Sequence, residues 1–94
     1  MSTFFMYGKY STEAVKAISP ERTDNVISLV KNLGGEVNEM YVLLGGYDLV
    51  FIVDLPGNKE AIQASVGLNR LTGISFSTSP AITVEEFDKM IAET

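Results

Sequence analysis

The chain has 94 residues, 46% of them hydrophobic, with seven basic and twelve acidic side chains and a net charge of −5. That length allows one domain, 1–94, with a modest private core, and the lack of cysteine removes disulfides as a support for so small a fold. The lack of histidine also removes the commonest transition-metal ligand and the imidazole on which most Ser-His and Cys-His catalysis depends, so any catalysis must use carboxylates, lysine, tyrosine, backbone amides or a borrowed cofactor. No carboxylate spacing matches a calcium loop, and neither a metal nor a resident cofactor is expected.

Residues 1–10 lack the basic start and apolar run of a signal peptide, and no segment approaches the roughly 20 apolar residues that span a bilayer. A cytoplasmic protein without a membrane partner is the expectation. Lys and Arg gather into no phosphate-binding patch, so no nucleic acid partner is expected either.

Thr3 to Tyr10 is rich in aromatic residues and apolar at both parities, which predicts a strand covered on both faces. A short helical turn is expected from Thr12 to Ile18. Ser19 and Pro20 then give the cap and first-turn signal of a longer helix, whose buried stripe is Val26, Ile27, Val30 and Leu33. Gly34 and Gly35 supply its stop.

Glu36 to Leu44 reads as a strand with Val37 and Tyr41 on one face against Asn38, and Tyr47 to Leu55 as a second, with Gly45-Gly46 as the hairpin between them. The second strand places Leu49, Phe51 and Val53 on one face and Val50 and Ile52 on the other, so it too belongs inside the sheet. Pro56-Gly57-Asn58 is a turn ending on a helix cap, and Lys59 to Thr72 carries Ala61, Ala64, Ser65, Leu68 and Leu71 along one helical face.

Ile74 to Ser79 alternates Ile74, Phe76 and Thr78 against three serines, as an edge strand does. Thr83 with Glu86 forms a capping box that opens a last amphipathic helix on Val84, Phe87 and Ile91.

The order strand, helix, strand, strand, helix, strand, terminal helix predicts an α+β, ferredoxin-like βαββαβ domain with a C-terminal helix and with the first and third strands central. Both crossover helices cover one face of such a sheet, whereas the central strands are apolar on both. The second face therefore calls for a cover, either a second subunit in a homodimer or higher homo-oligomer, or the terminal helix.

Leu44-Gly45-Gly46-Tyr47-Asp48, preceded by Gly34-Gly35 and followed by Leu49-Val50-Phe51-Ile52-Val53, resembles the GYD-domain family. Tyr7-Gly8-Lys9-Tyr10, Ser19-Pro20-Glu21-Arg22 and Thr83-Val84-Glu85-Glu86-Phe87 fit the same pattern, so the resemblance covers nearly the whole chain. That family is similar to the dimeric α+β barrel superfamily, which implies two ferredoxin-like sheets packed face to face around a cavity. The superfamily includes metal-free oxygenases, monooxygenases and isomerases, as well as effector-sensing domains of leucine-responsive transcriptional regulators.

Antiparallel pairing of the two central strands brings Lys9 and Tyr10 near Tyr47 and Asp48 at one end of the sheet, with Tyr7 on the same strand face as Lys9. Tyr7, Lys9, Tyr47 and Asp48 are thus the candidate ligand-binding residues, since a lysine and a carboxylate in a partly buried pocket can bind a polar group or move a proton. The structural alternative is that Asp48 braces the hairpin, Lys9 pairs with it and the tyrosines pack. The expected function is a homo-oligomeric small-molecule-binding domain; a cofactor-free oxygenase or isomerase and a ligand-free protein-interaction module are its rivals.

Overall fold

A computed structural model describes residues 1–94. Ser2–Lys9 forms strand β1, in which Phe4 and Met6 enter the core while Phe5 and Tyr7, of opposite parity, are half-buried on the other face. Two serines then start helices. The Ser11 hydroxyl accepts from the Ala14 amide at 3.0 Å to open α1 (Thr12–Lys16), and Ser19 accepts from the Arg22 amide at 3.1 Å to open α2 (Pro20–Asn32).

Gly34, at φ +84°, ends α2. Gly35 passes so close to the sheet that a Cβ there would lie 2.3 Å from the Asp54 carbonyl oxygen.

The remaining elements are β2 (Glu36–Val42), β3 (Leu49–Leu55), α3 (Asn58–Thr72), β4 (Ser75–Ala81) and α4 (Val84–Ala92). The four strands form one antiparallel sheet in the order β2-β3-β1-β4, so the two strands apolar on both faces are the central pair. This is the ferredoxin-like α+β architecture that the element order predicts. Helices α2 and α3 lie on one face over Phe4, Met6, Phe51, Val53 and Leu55, contributing Val26, Val30, Ala64 and Leu68 to that core.

Gly67, an unfavourable residue inside a helix, lies where a Cβ would come within 3.2 Å of the Leu29 side chain of α2. Close approach of α2 and α3 explains its presence.

Several details depart from the sequence reading. The register of β2 against β3 shifts between Val37 and Glu39. This bulge reverses the alternation, so Val37 and Met40 pack towards the helices, while Tyr41 lies opposite Val50 on the other face and no longer shares a side with Val37.

The β2–β3 connection runs from Leu43 to Asp48 and is not a two-glycine turn; the Leu43 amide donates to the Asp48 carbonyl at 2.8 Å, and Gly45 sits at φ +122°. Strand pairing is delayed because the Asp48 amide donates to Gly8 of β1 instead. Gly57 occupies the cap of α3 without a side-chain bond, and Asn58 is the first helical residue. β4 continues through Pro80, which an edge strand tolerates because one side of its backbone needs no ladder bond.

Thr83 caps α4, its hydroxyl accepting from the Glu86 amide at 3.1 Å. Every residue of α4 is nevertheless exposed, including Val84, Phe87 and Ile91. The helix does not cover the second face of the sheet.

Candidate functional site

The end of β1 and the start of β3 meet as the antiparallel pairing requires. The Tyr10 amide donates to Asp48 Oδ2 at 2.8 Å, and the Asp48 amide donates to the Gly8 carbonyl at 2.8 Å. Asp48 thus holds two strands and a loop together through backbone groups, a bracing role. Tyr7 and Tyr47 pack ring on ring, centroids 5.3 Å apart, against the uncovered face. Lys9 is exposed and lies in register with Ser75 of β4. The four residues singled out from the sequence therefore share one end of the sheet but do not converge on a single pocket.

At that same end, on the helix side, lies a pocket of about 190 Å³. Its apolar wall combines Val26 of α2, Met40 and Val42 of β2, Leu49 and Phe51 of β3, and Ile74 ahead of β4. The β2 bulge is what turns Met40 and Val42 towards this space. Tyr10 and Ile18 stand at its edge, Thr23 supplies a hydroxyl, and Arg22 is the one charged residue in the lining.

Arg22 is held from two sides. Its Nη1 donates to the Ala14 carbonyl at the end of α1, and its guanidinium lies 5.8 Å from the Tyr10 ring centroid, a cation–π distance. Through Tyr10, whose amide is fixed by Asp48, the brace between the strands also sets one edge of the pocket.

The uncovered face is apolar at its centre. Phe5, Tyr7 and Ile52 are half-buried, and Val50 is only 6% exposed because Tyr7 and Tyr41 flank it on the neighbouring strands. Ser75, Ser77 and Ser79 form its polar margin on β4.

Two ionisable groups on or beside this face are shifted. The Tyr41 hydroxyl donates to Glu39 Oε2 at 3.2 Å, and that bond, reinforced by the carboxylate's charge, raises the phenol above its ordinary value. Asp54 is held below the usual carboxylate value by hydrogen bonding to Asn38 and to Thr3, whose hydroxyl donates to Oδ1 at 2.8 Å, against a smaller opposing effect of burial.

The sequence brings Tyr7, Lys9, Tyr47 and Asp48 to one end of the sheet and gives no sign of the pocket beside them. Arg22 was legible only as part of a helix start. Its place three residues after the Ser19 cap and four before buried Val26 is the single local hint that it turns inward.

Fold and site together define an α+β ferredoxin-like domain with an apolar pocket under its first long helix and an apolar sheet face left open. Residues 4–91 match the GYD domain, and the chain belongs to the GYD-domain family.

No curated protein sequence matches it. Among solved structures it is similar to the leucine response regulatory protein LrpA of Mycobacterium tuberculosis, with a TM-score of 0.58 and 11% identity over 87% of this chain and 51% of that one. It is equally similar to the crystal structure of a glutamate-to-alanine mutant, with a TM-score of 0.58 and 11% identity over 87% of this chain and 50% of that one. The chain thus spans about half the length of these proteins, and the likeness is one of fold. No helix of the chain is long and apolar enough to cross a membrane.

Proposed function

We propose that this chain is a homo-oligomeric small-molecule-binding protein, which takes its ligand in the pocket beneath α2 and associates through the uncovered sheet face. The observation that carries the binding reading is the pocket, an apolar space of about 190 Å³ with a few polar groups at its edge. That combination is the usual form of a small-ligand site.

Surface area supports the association. The chain exposes 6170 Å², about 850 Å² more than the ~5,300 Å² expected of a compact monomer of 10.2 kDa. Both the open sheet face and α4, exposed along its whole length, contribute to that excess. Its radius of gyration of 14.2 Å likewise exceeds the ~12 Å expected for this length. A second copy laid on Phe5, Tyr7 and Ile52 buries the apolar surface that neither the helices nor α4 covers, and the Tyr7–Tyr47 pair favours a second ligand space between two such sheets, with Lys9 at its rim.

A cofactor-free enzyme needs Tyr7, Lys9 or Asp48 inside a closed pocket, and none of them lines the one beneath α2. Binding without catalysis is the simpler reading.

Native mass spectrometry on gently purified protein tests both halves at once. The expected result is a dimer or a multiple of it, carrying a reproducible added mass. A bare monomer overturns the proposal.

A further inference from the structure

We infer that the pocket beneath α2 takes a small apolar monocarboxylate, with Arg22 receiving the carboxylate and Val26, Met40 and Phe51 enclosing the hydrocarbon part. This rests on the reading of that pocket as the ligand site.

Arg22 is the only charged group in the lining and no carboxylate faces it there. A guanidinium presents five N–H donors and cannot be neutralised by losing a proton. Nη1 is engaged by the Ala14 carbonyl, which leaves Nη2 and Nε free of a protein acceptor. A cation beside an apolar wall is costly unless it is paired, and the partner that suits a planar fork of donors is a carboxylate, which accepts two parallel hydrogen bonds.

The guanidinium is also already in place. The Ala14 carbonyl and the Tyr10 ring fix it from two directions, so little side-chain freedom remains to be lost when an anion arrives. Thr23 lies at the same edge with its hydroxyl donating to the Ser19 carbonyl at 3.4 Å, so Arg22 is the donor left for an anion.

Volume limits the rest of the ligand. A cavity of ~150 Å³ holds a benzene ring. At about 190 Å³ the pocket takes one ring with a carbon or two, or a short branched chain, and is too small for a drug-sized molecule.

Phenylacetate and its neutral isostere phenylacetamide separate the contributions. In an NMR titration of the full chain, phenylacetate should bind at least about tenfold more tightly than the amide, as a charge-assisted hydrogen bond implies. Its affinity should fall as salt is raised while that of the amide stays constant. The shifted signals should be the methyls of Val26, Met40 and Leu49. Arg22→Met should weaken phenylacetate far more than the amide and bring the two probes to similar affinity.

Equal affinity of the two probes in the wild-type chain, a comparison that needs no variant, overturns the carboxylate assignment and leaves the pocket a ligand site. Shifts confined to Tyr7 and Tyr47 overturn it by moving the site to the open face. Failure of both probes to bind overturns the assignment together with the reading it rests on.

Discussion

Tyr10 and Asp48, 38 positions apart in the chain, are joined by a 2.8 Å hydrogen bond from the Tyr10 amide to the Asp48 carboxylate. The bond fixes the exit of one central strand to the entry of the other, just where the chain turns from sheet into α1. It gives the Gly-Tyr-Asp segment a physical purpose before any ligand is considered. The aspartate supplies an acceptor for an amide that has left the strand ladder, and its own amide closes on Gly8.

Asp48→Ala removes that acceptor and leaves the Tyr10 amide unpaired. Hydrogen bonds to charged groups contribute about 1.5–3 kcal/mol, so urea unfolding should show a loss of about 2 kcal/mol for alanine and a smaller one for Asp48→Asn, which retains an acceptor. Because Tyr10 stands at the pocket edge, Asp48→Ala should also weaken ligand binding beneath α2. Identical stability of all three proteins would show that the brace contributes nothing.

The glycines at close approaches are not equivalent. At Gly35 a new Cβ would meet the Asp54 carbonyl oxygen at 2.3 Å and Leu55 Cδ2 at 2.5 Å, and a backbone atom of a central strand cannot move aside. At Gly8 the obstacles are the side chains of Leu49 and Ile74, at 2.7 and 2.9 Å, which can partly repack. Gly8→Ala should therefore cost about 1–3 kcal/mol, the usual range for overpacking, and Gly35→Ala more. Gly46→Ala, with nothing within 4 Å of the new carbon, should be neutral in the same assay.

Much of this architecture is legible in the sequence. Apolar residues at both parities mark β1 and β3 as central strands, and Thr83 with Glu86 marks the start of α4. The face of Tyr41 was not legible, because a bulge at Asn38 adds a residue without any glycine or proline to announce it. The pocket was less legible still. Arg22, Met40, Leu49 and Ile74 belong to separate parts of the chain, and no local period links them; only the sheet order and the packing of α2 on the sheet bring them together. Helical periodicity also gives α4 an apolar stripe without saying what that stripe meets, and within one chain its residues stay exposed.

Asp54 should make stability depend on pH in the acid range. Its folded value lies below that of a free aspartate, near 3.9, so the folded state holds the ionised form more strongly than the unfolded chain does. The contribution is therefore fully present above the unfolded value and is lost as pH falls through the lower folded one. The difference in urea midpoint between the wild-type chain and Asp54→Asn should be constant above about pH 5 and shrink below pH 4. Thr3→Val, which removes one donor, should reduce that difference. A difference that does not change with pH would mean that the two donors do not favour the ionised form.

The two faces of β3 allow assembly to be tested separately from folding. Phe51 is 5% exposed on the helix side, its ring centroid 5.4 Å from that of Phe76, so Phe51→Asp places an unpaired charge in the core and should unfold the chain. Ile52, the next residue, lies half-buried on the uncovered face. In a sheet-to-sheet dimer with a two-fold axis, Ile52→Asp brings one new carboxylate from each subunit into an apolar contact. The expected outcome is a monomer by sedimentation with unchanged circular dichroism. If Ile52→Asp and the wild-type chain both sediment as the same oligomer, association uses another surface, and the exposed stripe of Val84, Phe87 and Ile91 on α4 becomes the place to substitute next.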